Sequence, residues 1–176
     1  LRNAALGDSL CRIFRYNGYE VVAANYFGDV GTHIAKCLWY FLNHCDESPP
    51  DELRGEWLGD LYTKSVQLLE TLEGEEAQQA QTEISNLLRR MEEKDPELSK
   101  VWEETKQWSM DDFKEIYRWL DIHFDHDFYE SDVDEEGRQM VLEGEKNGTF
   151  IRSEGAIGID LETENLSFFM LLKSDG

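Results

Sequence analysis

The sequence predicts an α/β fold interrupted by a large helical insertion, and three observations carry that reading. The first 44 residues run helix, strand, loop, helix. The middle, from Glu56 to about Asp95, has strong helical periodicity. The last third returns to alternating aromatic and β-branched residues cut by turn residues, the pattern of short strands.

Taken in order, Leu6, Leu10, Ile13 and Phe14 recur at helical spacing, and Gly18 supplies a left-handed stop. Glu20 to Phe27 reads as a strand. The segment Gly28-Asp29-Val30-Gly31-Thr32 reads as a tight turn into a second helix, Thr32 to His44, with Ile34, Leu38, Phe41 and Leu42 on one face. "CDESPPDELRGE" then breaks the pattern with two prolines and a run of acids. Two apolar stripes follow, Leu58 to Leu72 and Ile84 to Met91. Gly74 separates them, so a helical hairpin is expected. In "KDPELSKVWEETKQWSMDDFKEIYRWLDI" the pattern restarts helix twice. Asp95 can cap with Pro96 at the first helical position, and Ser109 with Asp112 resembles a capping box. Phe113, Ile116, Tyr117 and Leu120 are expected to form a buried face. "IHFDHDFYESD" reads as a strand, "VDEEGRQMVLEGEKNG" as a helix, and the tail as an antiparallel hairpin or meander. Strands near Val21 and Phe124 are expected to lie parallel in one sheet.

The chain of 176 residues is 40% hydrophobic and 12% aromatic, enough to bury a core. No apolar run approaches the roughly 20 residues that span a bilayer, so no membrane partner is expected. A net charge of −21 repels phosphates, so autonomous nucleic-acid binding by this piece is not expected. That charge reads as a solvated acidic surface or as a patch for a cationic partner, and composition does not separate the two. The odd count of three cysteines (Cys11, Cys37, Cys45) fits reduced thiols better than a disulfide framework and points to a cytoplasmic location.

Metal and nucleophile signatures are weak. His123, His126 and Asp127 lie close together, but the two histidines point to opposite faces of a strand. No CxxC or HExxH spacing is present, so no metal is expected. Nothing resembles a nucleophile elbow, and paired acids are too common here to single out a general acid–base couple. The informative stretch is "NYFGDVGTH". In parallel α/β sheets ligands bind beyond the carboxyl ends of strands, and this loop occupies that place with two glycines and Asp29. An acid capping the next helix is the competing reading.

The segment "LRNAALGDSLCRIFRYNGYEVVAANYFGDVGTHIAK" closely resembles the part of arginyl-tRNA synthetases that follows their HxGH signature. The resemblance continues, in order, through "WLGDLYTKSV", "DPEL" with the following tryptophan, "ESD", and the closing "EGA", "DL" and "LLKSDG". It spans nearly the whole chain. The acidic stretch from Glu73 to Gln81 and Phe168-Phe169 depart most from the family pattern.

The resemblance implies a partial class I synthetase fold of Rossmann-like (HUP) type. Residues 1–45 would belong to the first half of the nucleotide-binding fold, 46–108 to a helical insertion, and 109–176 to a return to the sheet plus connective β elements. The expectation is a fragment cut at both ends, with HxGH just before Leu1 and the KMSK-type loop beyond Gly176. It implies an arginine--tRNA ligase using ATP with Mg²⁺, L-arginine and tRNA(Arg). No catalytic signature lies within the chain, so the isolated piece is expected to be inactive. Leu1, Arg2 and Asn3 would sit near the nucleotide, and Asp29, Gly31 and Thr32 would line the rim of the site. A substrate-facing Asp29 would suit a guanidinium. The alternatives are a non-catalytic acidic interaction module on a synthetase-like scaffold, or a class I synthetase for another amino acid.

Overall fold

The computed structural model describes residues 2–164 and 166–173. Two compact units divide between Asp127 and Phe128.

The first unit opens with α1 (Arg2–Tyr16), then β1 (Ala24–Phe27), α2 (Thr32–Asn43), α3 (Arg54–Thr71), α4 (Gly74–Glu92) and α5 (Pro96–Trp119). The next strand, β2 (His126–Tyr129), pairs with β1 in a two-stranded sheet. The helical hairpin expected around Gly74 is present, with that glycine at φ 57° where the chain enters α4. Its apolar stripes pack where periodicity places them. Leu38 and Trp39 of α2, Ala80, Ile84 and Leu87 of α4 and Leu98 of α5 form one core cluster. Leu58 and Leu61 of α3 close on Trp108 of α5 in a second. Within this core the Trp39 indole N–H donates to Glu83 Oε2 at 2.8 Å, and the Ser65 hydroxyl, fully buried, donates to Lys36 O at 2.9 Å.

Three local readings of the sequence differ from the structure. Both strands are shorter than their alternating stretches, because a strand exists only where a neighbour completes its ladder. β1 spans Ala24–Phe27 rather than Glu20–Phe27, and β2 yields to helix at Glu130. Ser109 and Asp112 start no new helix: α5 is continuous over 24 residues. Asp112 instead caps another helix, accepting from the backbone N–H of Gly55 at 2.8 Å and Glu56 at 3.1 Å in the first turn of α3. A side-chain acceptor serves orphan amides wherever the tertiary fold brings them, and α3 has no such group at its own N-cap, Leu53. Finally, Phe113 and Ile116 are partly exposed, forming a cleft wall rather than a buried face.

Asp95 does cap α5. Its carboxylate accepts from Glu97 N and Leu98 N and from Nε and Nη2 of Arg90, at 3.2 and 3.1 Å. The Arg90 bond, ahead of the Leu98 amide, holds this carboxyl below the usual range.

The second unit packs α6 (Glu130–Lys146) against an antiparallel meander of β3 (Ile151–Ser153), β4 (Ala156–Ile159) and β5 (Phe169–Leu172). Ile157 is fully buried there, and Arg152 forks onto Glu145 while also donating to Gly155 O. Ser174 to Gly176, the end of the "LLKSDG" run, lie outside the described residues.

Candidate functional site

A cleft of about 420 Å³ opens in the first unit, within the usual size of small-ligand sites. One wall is the first two turns of α1, with Asn3, Ala4 and Gly7. The floor carries Asn25 of β1, and the opposite wall Phe113 and Tyr117 of α5. The Asn25 side-chain amide donates to the Tyr117 hydroxyl at 3.2 Å, tying strand to helix at the cleft. Tyr117 packs edge-on against Phe124 and stacks on Phe113. The aromatic wall is therefore tied together by ring contacts and to β1 by the Asn25–Tyr117 bond.

The α1 wall is fastened by charge rather than by packing. Arg12 bonds Asp8 at 2.6 Å, reaches Asp121 O at 2.7 Å, and has its pKa raised by these partners, Asp8 first. Arg15 reaches Asp125 Oδ2 at 3.3 Å, and the same oxygen accepts from Ala23 N at 2.7 Å.

The residues singled out from the sequence fall in three places. Leu1 lies outside the described residues. Arg2 and Asn3 are exposed on the first turn of α1, where backbone amides face forward, and Asn3 lines the cleft. Asp29, Gly31 and Thr32 lie on the loop from β1 into α2. Gly31 is the N-cap of α2 at φ 104°, a conformation that favours glycine, and Thr32 is exposed as the first helical residue.

Asp29 is buried, with 7% of its surface exposed. Its carboxylate is ion-paired with Lys106 Nζ of α5. Its backbone oxygen accepts from the Trp102 indole N–H at 2.7 Å, and Lys106 Nζ sits over the Trp102 ring, 4.9 Å from its centroid. The sequence reading gives no site role to Asn25, Tyr117, Trp102 or Lys106, although it places Tyr117 in a buried face and Asn25 at the start of the singled-out stretch. The available signal was geometric: the three α5 residues share a helical face, and Asn25, Phe27 and Asp29 share a side of an extended chain.

Among the described residues, no group of three or more His, Cys, Asp or Glu side chains is placed to hold a metal ion. The described Cys11, Cys37 and Cys45 are free thiols, and burial pushes Cys37 up to about 11. No helix among the described residues is long and apolar enough to cross a membrane.

The first unit is an α/β body with a ligand-sized cleft beside the start of β1, the Asp29 loop beyond that strand's carboxyl end, and helices α3 and α4 inserted after α2. The family model for class I tRNA synthetases (R), catalytic domain, matches residues 1–176, and the chain belongs to that family. Its relatives include the arginine--tRNA ligase of Bdellovibrio bacteriovorus, 42% identical over 177 residues, which covers all of this chain and 30% of that protein. The arginine--tRNA ligase of Bacteroides thetaiotaomicron is 33% identical over 192 residues, again across the whole chain and 32% of the relative. The chain thus spans about a third of the length of these curated relatives. The crystal structure of arginyl-tRNA synthetase from Plasmodium falciparum superposes with a TM-score of 0.71 at 23% identity, over 99% of this chain and 28% of that one, and establishes the fold.

Proposed function

We propose that the full-length protein carrying this chain is an arginine--tRNA ligase, acting in the cytoplasm on L-arginine, ATP and tRNA(Arg). The observation that carries this reading is that the whole of this chain matches about a third of an arginine--tRNA ligase at 42% identity. The arginine carboxylate attacks the α-phosphorus of ATP and pyrophosphate leaves. A terminal ribose hydroxyl of the tRNA then attacks the arginyl-adenylate carbonyl, and AMP leaves. Such chemistry depends on placing reactants in line and on stabilising charge as it develops.

This chain's part is binding and orientation. The cleft wall of Asn3, with Arg2 beside it on an amide-rich helix start, suits an anionic nucleotide. The loop of Asp29, Gly31 and Thr32 forms the rim on the strand's carboxyl side. Residues 1–45 and 109–176 carry the nucleotide-binding fold and its connection, with 46–108 as the helical insertion between them. Charge neutralisation of the nucleotide phosphates would come from Mg²⁺ bound to them, since among the described residues no group of three or more His, Cys, Asp or Glu is placed to hold a metal ion.

The experiment is transfer of labelled arginine to tRNA by the full-length protein. Transfer with arginine, lowered about tenfold or more by Asn3→Ala through a lost substrate hydrogen bond, supports the reading. No transfer with arginine overturns it.

A further inference from the structure

The loop and the cleft wall are served by one helix. Asn25, Phe27 and Asp29 are alternate residues of the segment running out of β1, so their side chains emerge on one side of an extended chain. They meet α5 in reverse order. Asn25 bonds Tyr117 at 3.2 Å, Phe27 stacks on Phe113 with centroids 5.9 Å apart, and Asp29 takes Lys106 by its carboxylate and Trp102 by its backbone oxygen. Residues 102, 106, 113 and 117 of a helix project within an arc of about 60°. The strand and the loop beyond it are therefore fastened along a single stripe of α5, from the rim to the cleft.

The rim end of this stripe is buried and charged. The Lys106 side chain is 21% exposed and that of Asp29 6%, so both have left most of their water. A charge pair so placed holds one geometry, because each partner's alternatives leave a charge uncompensated. The indole N–H adds a directional bond to the same residue's backbone, fixing the main chain as well as the side chain.

We infer that Lys106 and Trp102 are positioning residues, which act through Asp29 to set the Gly28–Gly31 loop relative to the cleft of Asn3, Asn25 and Tyr117. This rests on the arginine-activating reading given above. Neither residue touches the cleft. Each acts on the reaction by fixing where the rim and the start of α2 stand when substrates are bound, so its loss falls on turnover more than on binding.

The test uses the full-length protein with Trp102→Phe, Lys106→Met and Asp29→Asn, and the Asp29→Asn/Lys106→Met pair. Trp102→Phe keeps the aromatic packing and removes only the indole N–H. Two quantities are read: hydrogen exchange of the amides from Gly28 to His33, and arginine-dependent pyrophosphate exchange per folded active site with tRNA(Arg) present. Trp102→Phe is expected to speed loop exchange about tenfold and lower kcat about tenfold, with KM for arginine and ATP within about twofold of wild type. The Asp29→Asn/Lys106→Met pair should be no slower than the slower single variant, as expected of groups acting as one unit. Unchanged loop protection in Trp102→Phe, or unchanged kcat per folded site, overturns the inference. Additive losses in the pair also overturn it and give Asp29 a role apart from Lys106. Absence of arginine-dependent exchange in the wild type instead overturns the functional reading, while loop protection in Trp102→Phe still decides the anchoring.

Discussion

Helices α1 and α2 are written in the same pattern and have opposite fates. Each carries four apolar residues at helical spacing. In α2, Leu38 and Trp39 are 1% exposed in the core against α4. In α1, Leu6, Leu10, Ile13 and Phe14 are between 46% and 60% exposed, and the helix buries none of its described residues. Periodicity records which face is apolar; burial requires a partner helix at the right distance, and only α2 has one among the described residues. What fastens α1 is its pair of arginines, Arg12 on Asp121 and Arg15 on Asp125. Those are exposed ion pairs, screened by solvent and weak beside the packing of a buried helix. The contrast places the stable body in α2–α5 and a lightly held wall at the cleft.

The sharpest way to break this comparison is to truncate one residue from each region. Leu61, fully buried on α3, sits in the same body as α2. Leu61→Ala should cost about 2–5 kcal/mol in urea unfolding, and Leu6→Ala no more than about 0.5 kcal/mol. Equal losses would mean that α1 is packed as tightly as the bundle.

Glycines sharpen the point. A Cβ on Gly55 would lie 2.8 Å from Asp112 Oδ2 and 3.0 Å from the Ser109 backbone, and one on Gly158 would strike the Phe169 carbonyl that β4 pairs with. Alanine at either position should destabilise by about 1–3 kcal/mol. Gly7 of α1 has nothing within 4 Å of the same added atom. Gly7→Ala should therefore stabilise by about 0.5–1 kcal/mol, through helix propensity alone. Thermal melts of the three variants check the signs.

Caps are the next smaller effect. Asp112→Ala should cost about 1 kcal/mol by releasing the first amides of α3. Asp112→Asn should restore most of it, since an amide oxygen accepts equally well. A melt in which Asn and Ala behave alike would remove Asp112 from the cap.

The smallest effect is a pH dependence. Arg90 foremost, and then the Leu98 amide, hold Asp95 below its ordinary pKa. Trp39 and Gln79 likewise lower Glu83, and Arg152 lowers Glu145. A depressed carboxylate contributes stability that is present above its unfolded pKa and is lost as pH falls through the folded one. The melting temperature should therefore decline below about pH 4, and Asp95→Asn should flatten that decline. An identical acid limb in the variant would show that this cap carries no linkage.

Much of the fold was legible because its determinants are local. The hairpin break at Gly74, the Asp95-Pro96 start of α5 and the β3–β4 hairpin all depend on residues within a few positions of each other. The misreadings share a cause. Asp112 looked like a local cap and serves a helix 57 residues away. The long aromatic alternation after Ile122 shrank to a four-residue strand, because pairing decides strand length. At the site, the loop around Asp29 stood out by its glycines and its place after a strand. The identity of its partners did not, since Trp102 and Lys106 lie more than 70 residues on and are joined to it only by the fold.

The most direct measurement of the central claim is amino-acid-dependent exchange of labelled pyrophosphate into ATP. It is run with tRNA(Arg) present, with the full-length protein and with this chain alone, across the twenty amino acids. Exchange is expected from the full-length protein with arginine and no other amino acid, and none from the chain alone. Exchange by the isolated chain, or exchange driven by a different amino acid, would contradict that claim.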